Sequence, residues 1–84
     1  MTRNKNKINE VRLNASLVRI GKKGITDELI EEIDLQLSRR EVIKIRYLLD
    51  ISKQDLVRLA KGIASSMNVN LVEVRGKTFI LSKN

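Results

Sequence analysis

Residues 41–67, EVIKIRYLLDISKQDLVRLAKGIASSM, decide the fold, because a strand period and a helix period follow each other there. Residues 41–49 alternate with period two, which predicts a half-buried strand. Its apolar face would consist of Ile43, Ile45, Tyr47 and Leu49, and its mixed face of Val42, Lys44, Arg46 and Leu48. Asp50 or Ser52 then caps a helix whose apolar stripe continues to Met67 and which ends near Ser66.

The residues before this unit predict another strand and another helix. The short apolar run 16–20 predicts a strand, and Gly21 and Gly24 punctuate the loop after it. Thr26 is a suitable N-cap for a helix over residues 27–38. The apolar stripe of that helix is Leu29, Ile30, Ile33 and Leu37, and Leu35 falls off the stripe toward the surface.

The residues after the central unit predict a closing hairpin. Strands over 69–74 and 77–81 are joined by the short connection Arg75-Gly76-Lys77. The order β-α-β-α-β-β predicts an α/β two-layer sandwich, in which a four-stranded mixed sheet carries both helices on one face and leaves the other face open. We expect one domain over residues 15–84, preceded by a basic N-terminal arm over residues 1–14 with room for a short helix.

Composition excludes several classes of chemistry. The 84 residues contain no cysteine and no histidine, so thiol chemistry and an imidazole acid or base are excluded, and a metal site would need carboxylates alone. No spacing marks a nucleophile with its base, so we expect neither an enzyme nor a cofactor. No apolar run is long enough to span a membrane, and no signal peptide is visible. We therefore expect a monomeric cytoplasmic protein.

The charge is large and unevenly distributed. Seventeen Lys and Arg against ten Asp and Glu give a net charge of +7, which favours a polyanionic partner. Residues 25–38 form an acidic segment without a cation, containing Asp27, Glu28, Glu31, Glu32 and Asp34. A Mg²⁺ site on these carboxylates is conceivable, but a solvated helix face whose first acids offset the helix dipole is the better interpretation.

The loop Gly21-Lys22-Lys23-Gly24 is the main candidate binding site. Glycines allow a close backbone approach, the loop leads into a helix N-terminus, and two lysines add positive charge, a combination that suits a nucleic-acid backbone. The alternative is a tight turn with solvated lysines. Seven further cations are candidates, each of which could equally be a solvated charge: Arg19, Arg39, Arg40, Lys44, Arg46, Arg75 and Lys77. Arg39 and Arg40 follow the first predicted helix and should lie at the opposite end of the sheet from Arg75 and Lys77.

Three sequence blocks together resemble the CRM domain, named for chloroplast RNA splicing and ribosome maturation, whose stand-alone members are called YhbY-like. The blocks are Val18-Arg19-Ile20-Gly21-Lys22-Lys23-Gly24-Ile25-Thr26, Glu41-Val42-Ile43-Lys44-Ile45 and Val74-Arg75-Gly76-Lys77-Thr78-Phe79-Ile80-Leu81. The resemblance covers residues 17–82. The chain departs from the family pattern where Val11 and Arg12 replace a small residue and a histidine, and it contains no proline.

The resemblance implies a fold like the C-terminal domain of translation initiation factor three and a non-enzymatic RNA-binding role. Prokaryotic family members associate with precursors of the large ribosomal subunit, so the implied partner is ribosomal RNA or that precursor, with the GxxG loop at residues 21–24. Tyr47 and Phe79, the only aromatic residues, are too few for a stacking platform. Two alternatives remain. Leu35 and an open sheet face would suit a protein-interaction module, and the charge alone would equally suit DNA.

Overall fold

The computed structural model describes residues 18–83, which form two helices and four strands. In chain order the elements are β1 (Val18–Ile20), α1 (Asp27–Arg40), β2 (Val42–Tyr47), α2 (Lys53–Met67), β3 (Asn70–Arg75) and β4 (Thr78–Ser82). The predicted order of elements is therefore confirmed. The arm predicted over residues 1–14 and the first two residues of the predicted strand 16–20 lie outside the described residues.

Helix α1 begins where the sequence predicts and ends two residues later. The Thr26 hydroxyl accepts a hydrogen bond from the Leu29 amide at 3.0 Å, which satisfies one of the free amides of the first turn. Arg39 and Arg40 extend the helix past the predicted end near Ser38 and form the last turn, where cations interact favourably with the negative helix end. Glu41 ends the helix with a φ of 67°.

Helix α2 is capped by Ser52 and not by Asp50. The Ser52 hydroxyl accepts from the Asp55 amide at 3.1 Å. The helix continues one residue past the predicted end, and Asn68 stops it in the left-handed conformation with a φ of 58°. Asparagine is one of the few residues with a side chain that tolerate that conformation.

The sheet has the order β1-β2-β4-β3, with β1 parallel to β2 and the other two neighbouring pairs antiparallel. This is the predicted mixed sheet. Strand β2 is shorter than predicted, and Leu49, assigned to its apolar face, lies beyond the strand and is 38% exposed. Strands β3 and β4 each begin one residue later than predicted.

The core lies between one face of the sheet and both helices. Its sheet side includes Ile43 and Ile45 of β2 and their register partners Leu81 and Phe79 of β4. The helices add a larger set of buried residues: Ile33, Leu37, Leu56, Ala60, Ile63 and Ala64. Leu35 is 45% exposed on α1, as its position off the stripe predicts.

The face of the sheet that points away from the helices, called the second face below, is less open than expected. Val42, Ile80 and Ser82 lie on it and are each at most 2% exposed. All three belong to the inner strands, and two of them have register partners on both sides: Ile80 lies between Lys44 and Glu73, and Ser82 between Val42 and Asn70. Val42 and Ser82 lie at one end of this face, and the exposed Arg19, Arg46 and Arg75 lie at the other end. Over residues 18–83, neither helix has the length and apolar character needed to cross a membrane.

Candidate nucleic-acid interface

Three connections meet at one end of the sheet. Strands β1 and β2 are parallel, so the loop after Ile20 and the loop after Tyr47 leave the sheet at the same end. Strand β4 runs antiparallel to both β2 and β3, which brings the β3–β4 hairpin to that end as well. We call this the loop end. It gathers the GxxG loop (residues 21–24), residues 48–52 and the turn Gly76-Lys77.

The GxxG loop is a tight turn whose lysines point into solvent. The Gly24 amide donates to the Gly21 carbonyl at 2.9 Å, and Gly24 has a φ of 68°, which a residue with a Cβ adopts only under strain. Lys22 and Lys23, between the glycines, are both exposed. The turn thus holds two cations directly before the N-terminus of α1.

An open cleft of about 390 Å³ adjoins this loop. Its lining consists of Arg19, Gly21, Lys22, Lys23, Gly24, Thr26, Glu28 and Leu29. The helix N-terminus favours an anion here, although Thr26 already occupies the Leu29 amide and Glu28 opposes negative charge. The three cations of the lining, Arg19, Lys22 and Lys23, give the cleft the positive charge that a phosphate group requires, and the helix end contributes less.

An arginine row crosses the second face of the sheet at the loop end. Arg19 of β1 is in register with Arg46 of β2, Arg46 with Thr78 of β4, and Thr78 with Arg75 of β3. All three arginines are exposed. Because neighbouring strands are about 4.8 Å apart, the row spans about 14 Å between the first and last Cα atoms.

The arginine row is unfavourable for folding by itself. Like charges directly opposite each other on neighbouring strands repel, and the pair Arg19–Arg46 is such a case. Arg58 pairs with Asp55 and Lys77 with Asp50, and neither of these ion pairs involves the arginine row. A bound polyanion would relieve this repulsion, which makes the row a better candidate for function than a scattered surface charge.

Two other predicted site residues are partly engaged within the protein. Lys77 lies 3.2 Å from the Asp50 carboxylate, and its carbonyl accepts from the Tyr47 amide at 2.8 Å. Lys44 is half-buried on the second face, two residues before Arg46. Both lysines are therefore weaker candidates for a contact than the arginine row.

Arg39 and Arg40 lie far from these groups, as predicted. They end α1 directly before β2 begins, at the sheet end where β4 finishes, and the Lys83 amide donates to the Glu41 carbonyl there at 2.8 Å. The eleven residues predicted from sequence thus do not form one site. The GxxG loop, Arg19, Arg46, Arg75 and Lys77 lie together, Lys44 lies two residues before Arg46 on the second face, and Arg39 and Arg40 stand apart.

Comparison with known families agrees with this architecture. The CRS1 / YhbY (CRM) domain model matches residues 5–83. The chain belongs to the CRM domain family. The solution structure of the hypothetical protein SAV1595 from Staphylococcus aureus, which carries the description "a putative RNA binding protein", is similar, with a TM-score of 0.78 and 26% identity. The match covers 96% of this chain and 83% of that one, whereas no curated protein matches significantly.

In this CRM domain Leu48 lies next to the GxxG loop, a position that the sequence alone does not reveal. Leu48 donates its amide to the Ile20 carbonyl at 2.9 Å and is 48% exposed. A Cβ on Gly21 would lie 3.8 Å from the Leu48 Cδ1 atom, so this side chain lies against the glycine. The strand alternation placed Leu48 on the face of Arg46, but the pairing of β1 with β2 was needed to bring it to the loop.

Within residues 18–83 no cluster of three potential metal ligands occurs.

Proposed function

We propose that this CRM domain is a non-enzymatic RNA-binding protein that assists assembly of the large ribosomal subunit by binding precursor ribosomal RNA. The observation that carries the proposal is the juxtaposition of the GxxG loop with the arginine row at one end of the sheet. Family membership and the description of the Staphylococcus aureus neighbour support RNA as the partner.

Five exposed cations define the proposed contact surface: Arg19, Lys22, Lys23, Arg46 and Arg75. Guanidinium groups bind phosphate oxygens in a bidentate manner, and lysines add mobile point charges. Phosphate contacts position an RNA without determining its sequence, so shape and backbone recognition would dominate. The acidic face of α1 would repel phosphate and limit where RNA can lie.

The dependence of binding on salt tests this function directly. If these five cations neutralise about five phosphates, the logarithm of the affinity should fall with the logarithm of the salt concentration at a slope of about −3.5, from about −0.7 per contact on a single strand. Fluorescence anisotropy with a ribosomal RNA fragment and with DNA of the same sequence, at matched salt, measures the slope and the preference. We expect RNA to bind more tightly, because the 2′-hydroxyl distinguishes the two.

The alternatives give different results in the same experiment. A protein-interaction module would bind RNA weakly or show a shallow salt slope, since burial of apolar area releases few counterions. Equal binding to RNA and DNA at every salt concentration would indicate a general polyanion binder. Sedimentation of the tagged protein with precursor large subunits, followed by sequencing of the bound RNA, tests the ribosomal role separately.

Removing charge from the arginine row should weaken binding and stabilise the fold. We expect Arg19→Gln with Arg46→Gln to lower RNA affinity about 10- to 25-fold near 0.1 M salt and to flatten the salt slope by about 1.4. The same double change should leave the melting temperature unchanged or raise it, because it removes the repulsion between the paired arginines. Anisotropy titrations and thermal melts measure the two effects.

The matched control removes two arginines from the opposite end of the sheet. Arg39→Gln with Arg40→Gln changes the net charge by the same amount and should lower affinity less than about threefold. It should also lower the melting temperature slightly, since it removes two cations from the last turn of α1. Equal loss of affinity in both variants would contradict a defined site at the loop end.

A further inference from the structure

The connection between β2 and α2 places two exposed apolar side chains at the loop end, beside the proposed phosphate contacts. Leu48 is 48% exposed and Leu49 is 38% exposed. Single exposed leucines are common on protein surfaces and need no explanation by themselves. The position of Leu48 is the informative feature, because it follows Arg46 along the same face and lies against Gly21 of the GxxG loop.

The geometry at Leu48 is fixed by the backbone on both sides. Its amide donates to the Ile20 carbonyl at 2.9 Å, and the preceding Tyr47 amide donates to the Lys77 carbonyl at 2.8 Å. A Cβ on Gly21 would be in ordinary van der Waals contact with the Leu48 Cδ1 atom, at 3.8 Å, so the leucine side chain packs beside the loop. Leu48 therefore lies beside the loop that carries the two lysines and two residues after Arg46 of the arginine row.

The positive charge around Leu48 favours a nucleic acid as the molecule that covers this side chain. An apolar protein segment would bring no negative charge to the neighbouring Arg19, Arg46, Lys22 and Lys23. A nucleic acid presents flat, weakly polar base faces joined by phosphates, and therefore matches both the apolar centre and the basic rim. Of the two aromatic residues, Phe79 is fully buried and Tyr47 packs against the core, so an aromatic platform does not compete for the base.

We propose that Leu48 packs against an unpaired nucleobase of the RNA, and that this domain therefore selects RNA with unpaired nucleotides at its contact site over continuous duplex. This inference rests on the proposed function, since the phosphates must lie at the loop end for a base to reach Leu48. Bases within a duplex are stacked and cannot expose a face to a side chain. The phosphate contacts supply salt-dependent affinity, and the leucine contact adds a base-dependent, salt-independent part.

The test compares Leu48→Ala with Leu35→Ala, an equally exposed leucine on α1. The probes are a single-stranded RNA of about 12 nucleotides, the same strand with abasic central positions, and a fully paired RNA duplex of equal length. We expect Leu48→Ala to lower affinity for the intact strand about five- to tenfold, because that is the loss for a leucine half covered by a base. The slope of affinity against salt concentration should not change. Leu35→Ala should change affinity less than twofold.

The strand with abasic central positions tests the contact between Leu48 and a base by itself, because it retains the phosphates and lacks the bases. Wild-type protein should bind it about five- to tenfold more weakly than the intact strand, and Leu48→Ala should cause no further loss, because the two changes remove the same interaction. Equal effects of Leu48→Ala on intact and abasic strands, no effect on either, or equally tight binding of wild type to the duplex would each overturn the inference.

These results remain distinct from failure of the proposed function. The phosphate site is supported if the wild-type protein binds RNA in preference to DNA, with an affinity that depends on salt and is lost when the charges of the loop lysines are reversed. In that case, a Leu48→Ala variant with unchanged affinity overturns only the contact with the base. If wild type shows no salt-dependent preference for RNA, both proposals fall together. Thermal melts of each variant verify folding, which half-exposed leucines should scarcely affect.

Discussion

Phe79→Ala should lower the free energy of unfolding by about 3–5 kcal/mol. The ring is fully buried, and its residue is in register with Ile45 of β2 on one side and Val74 of β3 on the other. Its removal leaves a cavity at the centre of the sheet, beneath both helices. A domain of this size has a total stability of about 4–13 kcal/mol, so the change removes much of it.

Urea denaturation followed by circular dichroism measures this loss, with Leu35→Ala as the control. Leu35 is 45% exposed and lies on a helix, where alanine has the highest propensity, so its change should stay within about 0.5 kcal/mol. Phe79→Leu should fall between the two variants because it retains most of the apolar volume. A loss below about 1 kcal/mol for Phe79→Ala would contradict a core centred on this ring.

The order of helices and strands could be predicted because the apolar residues of each segment repeat with the period of a helix or of a strand. Alternation in β2 and the stripe of α2 lie in adjacent stretches, and Gly76 marks the hairpin. The boundaries were less predictable, because they depend on competition between acceptable choices. Asp50 and Ser52 are both good N-caps, and only the backbone geometry selects Ser52. Glu41 ends α1 with a positive φ, a conformation that its residue type does not suggest.

The candidate site was predictable in composition but not in arrangement. The GxxG loop follows from four consecutive residues, and its position before a capped helix is visible in the sequence. The arginine row depends on strand register, which aligns Arg19 with Arg46 and, through Thr78, with Arg75. Register results from packing across the whole sheet, and a shift by one residue would turn these side chains to the other face.

Reversal of both loop lysines should cause the largest loss of RNA affinity of any surface change. We expect Lys22→Glu with Lys23→Glu to weaken binding about 30- to 100-fold near 0.1 M salt. Two lost phosphate contacts account for about 25-fold, and the new carboxylates add repulsion. The fold should persist, because both side chains are exposed and the turn is held by the bond from the Gly24 amide to the Gly21 carbonyl.

The control must change the net charge equally without touching the loop end. Lys61→Glu with Lys83→Glu meets this requirement. Each Lys→Glu change lowers the net charge by two, so the net charge of both double variants falls from +7 to +3. Lys61 lies exposed on α2, and Lys83 follows β4 at the opposite end of the sheet. If affinity depends on total charge alone, the two variants will bind equally weakly and the site assignment fails. If the loop holds the RNA backbone, the control will lose only a few-fold in affinity, and its salt slope will remain close to that of the wild type, because no phosphate contact has been removed.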